Sequence, residues 1–112
     1  MKISGILGHP LKQPRSIKIW KNYFKKKKIL SKMLKFDVKP QKLKEFINFI
    51  RTEKNFKATA VTMPYKKKVI KFLDKIDDFA MKAGSVNLII KKNNVLTGCL
   101  LYTSDAADEE DS

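Results

Sequence analysis

The chain has 112 residues, room for one small domain. Its 25 basic residues outweigh 11 acidic ones for a net charge of +14, with Lys far in excess of Arg, a balance that suits electrostatic attraction of anions better than base readout in nucleic acid. No apolar run approaches the roughly 20 residues of a membrane span, no signal peptide is visible, and a single histidine gives no support to a His-based metal site or a Ser-His-Asp triad.

In chain order, Ile3 to Leu7 predicts a short buried strand. Gly8 to Arg15, punctuated by glycine and two prolines, predicts a loop, and Ser16 is placed to cap the helix that follows. Ile17, Trp20, Tyr23 and Phe24 share one helical face and read as core. Lys25 to Lys28 closes that helix, where cations suit the dipole. Met33 to Val38 predicts a second strand stopped by Pro40, and Lys42 to Glu53 a helix with Leu43, Phe46, Ile47 and Ile50 on its buried face. Ala58 to Thr62 predicts a third strand. Pro64 to Leu73 predicts a third helix, with proline in its first turn and Val69, Ile70 and Leu73 inward. Asp77 to Lys82 predicts a short helix ended by Gly84, and Val86 to Ile90, Asn93-Asn94 and Val95 to Thr97 predict a hairpin. The alternation argues an α/β fold class: a small three-layer domain with a mostly parallel sheet, an antiparallel edge hairpin and helices on both faces. In such sheets ligands bind outside the carboxyl ends of the strands.

The segment Val61-Thr62-Met63-Pro64-Tyr65-Lys66 is the most informative chemically. A strand end delivers a hydroxyl, Thr62, and a lysine, Lys66, to one place. Like charge from Lys67 and Lys68 and the positive end of the expected helix both disfavour an ammonium there, which suits a general acid or base. Read on its own, the same stretch is also compatible with an exposed lysine on a surface helix.

Two further segments complete a pattern: Gly8-His9-Pro10-Leu11-Lys12-Gln13-Pro14-Arg15-Ser16, and Gly84-Ser85-Val86-Asn87 followed by Leu96-Thr97-Gly98. In this order the three resemble the N-terminal, substrate-binding domain of the shikimate dehydrogenase family, which reads G-N-P-x-x-H-S-x-S-P, N-V-T-x-P-x-K, G-A-V-N-T and G-x-N-T-D. The resemblance covers Lys2 to Gly98. It implies an oxidoreductase that reduces 3-dehydroshikimate to shikimate with NADPH, in the cytoplasm, on the route to aromatic amino acids. It implies Lys66 as the catalytic acid/base and Ser16, Thr62, Lys66 and Asn87 as substrate contacts, with no metal. Pro14, Ala60, His9 and Gln13 depart from the pattern, so a diverged relative acting on another cyclic polyol acid is the alternative. A basic nucleic-acid-binding module is a further one. NADP belongs to a domain beyond N-T-D in the family, and this sequence carries no G-x-G-x-x-G to hold it.

After Gly98 the pattern stops. Residues 1–98 hold all 25 basic residues and 6 acidic ones, whereas residues 99–112 hold five acidic residues and no basic ones. Cys99-Leu100-Leu101-Tyr102-Thr103-Ser104-Asp105-Ala106-Ala107-Asp108-Glu109 resembles a translated sequencing adapter. The expected division is a substrate-binding domain over 1–98 and a non-native or disordered tail over 99–112, on a truncated parent whose fragment is inactive by itself. A genuine acidic tail is the other reading.

Overall fold

The computed structural model describes residues 2–11, 14–29 and 31–101, with the backbone alone for residues 14–16. Among these, strands and helices alternate as β1 (Ile3–Gly8), α1 (Pro14–Lys26), β2 (Lys32–Asp37), α2 (Leu43–Thr52), β3 (Phe56–Val61), β4 (Lys75–Ile76), α3 (Asp78–Ala83), β5 (Leu88–Lys92) and β6 (Val95–Cys99). The strands form one sheet in the order β2-β1-β3-β5-β6-β4. β1 pairs in parallel with β2 and β3, and β4 with β6. Only β5 runs against its neighbours, antiparallel to β3 and to β6.

Side-chain alternation sorts the core onto the two faces. Ile6, Ala58, Ala60 and Leu88 meet Trp20 and Phe24 of α1. Leu7, Val61 and Ile89 meet Phe46, Ile47 and Ile50 of α2, with Ala80 of α3 on the same side. The expected three-layer α/β domain with a mostly parallel sheet is what the chain forms. α1 ends where Lys28 takes a left-handed φ of 58° and the Ile29 N–H returns to the Phe24 carbonyl at 2.9 Å. At the end of α2, Lys91 Nζ donates to the carbonyls of Ile50 and Glu53 at 3.0 and 2.8 Å, closing acceptors that the helix itself cannot satisfy.

Three expectations are corrected. The hairpin of β5 and β6, turned by Asn93 and Asn94 at φ 52° and 64°, is not the sheet edge, because β4 pairs outside β6. β4 has two residues, too few to show a period in sequence, and is held by flanking bonds from the Asp74 N–H to Leu96 O (2.9 Å) and the Asp77 N–H to Gly98 O (3.0 Å). α1 begins at Pro14, so Ser16 lies within its first turn rather than at the cap; proline needs no N–H partner there. The helix expected over Pro64 to Leu73 is instead a run of turns ending in a 3-10 turn, Ile70–Phe72. The Lys66 carbonyl, which a helix would offer to Ile70, accepts the Val86 N–H at 2.8 Å, and Ile70 turns to Lys67 at 3.3 Å. A contact distant in sequence overrides the local period.

Hydrogen bonding does not stop at Gly98. Cys99 is the last residue of β6, and Leu101 is bonded to Asn87. The rest of the compositionally distinct segment, residues 102–112, lies outside the described residues. No helix among the described residues is long and apolar enough to cross a membrane.

Candidate functional site

β1 and β3 run in the same direction, so Gly8 and Val61 finish at one edge of the sheet. β5 runs the other way, so its beginning, just after Asn87, comes to that same edge. The backbone joins these pieces. The Val61 N–H donates to Asn87 O at 2.8 Å, the Thr62 N–H to Leu7 O at 2.8 Å, the Val86 N–H to Lys66 O at 2.8 Å, and the Asn87 N–H to Cys99 O at 2.9 Å. Thr62, Lys66 and Asn87, separated by up to 25 positions, are thereby brought together. The side chain of Ser16 lies outside the described residues.

Gly8 lets the β1 and β3 ends close on each other. A Cβ there would lie 2.5 Å from the Thr62 methyl and 2.8 Å from Leu11 Cδ2. The methyl of Thr62 therefore packs against Gly8. Beyond Thr62, across a cis Met63–Pro64 bond, Lys66 enters a crevice of about 670 Å³. Met63, Pro64, Lys67, Lys68, Ala83, Ser85 and Leu100 line the rest of it. Lys66 is 5% exposed, whereas Lys67 and Lys68 are exposed at the rim. The segment that carries Lys66 is a run of turns and not a helix, so the helix dipole expected there is absent. What remains is a buried lysine at a mostly apolar crevice under a cationic rim, a rim that attracts small anions.

Asn87 is 1% exposed and its carboxamide faces the chain leaving β6. Its Nδ2 donates to Leu101 O at 2.7 Å and its Oδ1 accepts from the Leu101 N–H at 2.8 Å. This pairing was not legible in sequence, because it reads only the backbone of residue 101. Two of the departures from the motif also find their places. Ala60 is fully buried on the α1 side of the sheet, inside the core. His9 donates from Nδ1 to Asp37 Oδ1 at 2.7 Å, across the in-register neighbours Gly8 and Asp37. That bond and the Leu11 N–H hold the Asp37 carboxyl below its ordinary range. Tyr65, fully buried, donates to the Val38 carbonyl, and burial pushes its phenol up, with the Asp37 charge adding to it. Burial, then Asp77, pushes the Cys99 thiol up to about 11, so it is no thiolate nucleophile near neutral pH. Among the described residues no cluster of His, Cys, Asp and Glu could hold a metal ion.

A mixed α/β sheet with a lysine-bearing crevice at its strand ends defines a small-molecule-binding domain. The comparisons are more particular. Residues 6–89 match the family model described as the shikimate dehydrogenase substrate binding domain, and the chain belongs to that family. It is 37% identical over 105 residues to shikimate dehydrogenase (NADP(+)) of Halothermothrix orenii, an alignment covering 94% of this chain and 35% of that protein. It is 38% identical over 104 residues to the corresponding protein of Pyrococcus furiosus, covering 93% and 36%. The chain thus spans about a third of the length of these relatives. Among solved structures it is similar to shikimate dehydrogenase 1 of Peptoclostridium difficile, with a TM-score of 0.78 and 29% identity over 89% of this chain and 37% of that one. It is also similar to the shikimate 5-dehydrogenase of Listeria monocytogenes, solved with shikimate and NAD, with a TM-score of 0.77 and 28% identity over 89% and 34%.

Proposed function

We propose that the chain is the substrate-binding part of an NADP-dependent shikimate dehydrogenase, a cytoplasmic enzyme that interconverts 3-dehydroshikimate and shikimate. The carrying observation is Lys66, buried at the strand-end crevice in a member of this family, with Thr62 and Asn87 on the same edge. In this reading Lys66 Nζ passes a proton to the carbonyl oxygen as it is reduced and takes it back in reverse. Thr62 and Asn87 orient the ring hydroxyls. After its two bonds to Leu101, Asn87 retains one N–H and one lone pair for a ligand. Ser16 contacts the carboxylate, which the lysine rim draws in. The nicotinamide cofactor supplies the hydride in the intact enzyme. The sequence of these 112 residues has no G-x-G-x-x-G that would cradle it. The 112-residue chain alone is read as a binder without turnover.

Calorimetric titration of the chain with shikimate tests this, with benzoate as an anion that lacks the hydroxyls. Shikimate should bind, benzoate should bind far more weakly, and Lys66→Ala and Thr62→Val should each weaken shikimate roughly tenfold or more, the scale of one lost hydrogen bond in a closed site. Equal affinity for the two ligands would overturn the reading. Pro14, where the family pattern has a serine, favours a second substrate class, another cyclic polyol acid. Quinate outcompeting shikimate would establish it.

A further inference from the structure

The substrate-binding reading gives Asn87 a ligand to hold, yet most of what its polar atoms do is internal. Its backbone N–H and C=O reach Cys99 and Val61, and its carboxamide makes a paired donor–acceptor contact with the Leu101 peptide. One residue thus joins the end of β3, the end of β6 and the chain that leaves β6. Leu100, the residue between the two anchored peptides, lines the same crevice as Lys66.

We infer that Asn87 is a positioning residue: it clasps the peptide of residue 101 and thereby sets the path of the chain across the crevice that holds Lys66.

The pair behaves as one extra rung of sheet. A carboxamide carries the same N–H and C=O as a peptide, so it mimics a strand neighbour where β5 has not yet begun. The clasp touches no side-chain atom of Leu101. It therefore holds residue 101 whatever its type, and it survives the change from the polar family pattern to Leu100-Leu101. The burial of Asn87 excludes water that would otherwise compete for both bonds. The consequence is directional. Whatever ligand group sits against Leu100 is placed by Asn87 through the backbone, in addition to any bond Asn87 makes to the ligand directly. That consequence for a bound acid rests on the functional reading above, whereas the clasp does not.

Amide hydrogen exchange on the ¹⁵N-labelled 112-residue chain tests the clasp without any ligand. The Leu101 N–H and one side-chain N–H of Asn87 should be protected. Asn87→Ala should speed Leu101 exchange roughly tenfold or more, with the amides of Leu7 and Ile50 unchanged. Asn87→Asp, which keeps the acceptor and loses the donor, should fall between. Leu101→Ala should leave the protection intact, because the peptide is unaltered. Leu101→Pro, which lacks the N–H, should expose the Asn87 side chain; it also serves if Asn87→Ala does not fold. An unprotected Leu101 amide in the parent would overturn the proposal, as would equal loss of protection in Leu101→Ala and Asn87→Ala. A shikimate titration then separates positioning from direct contact. If positioning matters, Leu101→Pro weakens binding as Asn87→Ala does. If Leu101→Pro binds like the parent, Asn87 acts on the ligand alone and the positioning role fails. If shikimate does not bind the parent at all, the functional reading fails, and exchange alone decides the clasp.

Discussion

Gly8→Ala perturbs the site at its tightest point. The added carbon would sit 2.5 Å from the Thr62 methyl, 2.8 Å from Leu11 Cδ2 and 3.1 Å from the Met63 carbonyl oxygen. Carbons in contact rest about 3.5–4.0 Å apart, so the overlap with the methyl is roughly 1 Å. Leu11 can swing away at its flexible end. Thr62 is fixed on both sides, its N–H on Leu7 O and its carbonyl under the Tyr65 N–H. Relief therefore needs an off-rotamer threonine or a backbone shift, and overpacking of this kind costs about 1–3 kcal/mol. For a domain of this size that lowers Tm by roughly 4–20 °C. Thermal unfolding followed by far-ultraviolet circular dichroism measures it. The decisive comparison is Gly8→Ala in a Thr62→Ser background, which removes the methyl and keeps the hydroxyl. The double variant should recover at least half of the loss, with a coupling of about 1 kcal/mol between the two sites. A double variant no more stable than the sum of the two single changes would refute the argument, since the Thr62 methyl would then not be what the new carbon meets.

Ser4 is fully buried in β1 and its hydroxyl has no hydrogen-bond partner among the described residues, so Ser4→Ala should raise stability by about 1 kcal/mol, read as a higher urea midpoint. Asp74 accepts the Leu96 N–H at 2.8 Å and Arg51 Nη1 at 2.6 Å, which hold its carboxyl below the ordinary 3.8. Its stabilisation is therefore present above pH 3.8 and lost as pH falls through the lower folded value. Asp74→Asn should cost about 1 kcal/mol at pH 7, discounted for its partial exposure, and the gap in Tm from the parent should close in acid; a gap that persists there would mean the charge is not the cause. The 112-residue chain with shikimate and NADP⁺ should show no rise in reduced-cofactor absorbance above a Lys66→Ala control.

Elements whose signals are local were legible in the sequence. α2 shows its buried stripe as Leu43, Phe46, Ile47 and Ile50, and α3 shows both ends: the Asp77 side chain accepts the Ala80 N–H at 2.7 Å, and Gly84 takes φ 66°. The stretch after Pro64 was misread because Val69, Ile70 and Leu73 keep a helical spacing while the Lys66 carbonyl is taken by Val86, a partner 20 residues away. β4 was missed because two residues carry no pattern. For the candidate site, the motif names Thr62, Lys66 and Asn87 as expectations, and the sheet brings their segments to one end. The contact of His9 with Asp37 depends on parallel register between β1 and β2, which no spacing in the sequence states. The clasp of Asn87 on Leu101 was hidden for a different reason, since its partner is main chain and leaves no mark on residue type.

The lone reversed strand also bears on the order in which the molecule is made. The crevice is lined both by the segment that leaves β3 and by Leu100, at the exit from β6, more than 30 residues later. As the polypeptide emerges, β1, β2 and β3 can pair in parallel with nothing yet at their open edge. Only when β5 has folded back against β3 does Asn87 arrive, and only after β6 does it find a peptide to hold. The crevice wall at Leu100 is therefore the last part of the candidate site to be placed as the chain is made. A ligand in the crevice then recognises finished molecules and none of the partly folded ones. Any ligand that binds there would, at a hundred times its dissociation constant, favour the finished state by about 2.7 kcal/mol and so act as a check on completion.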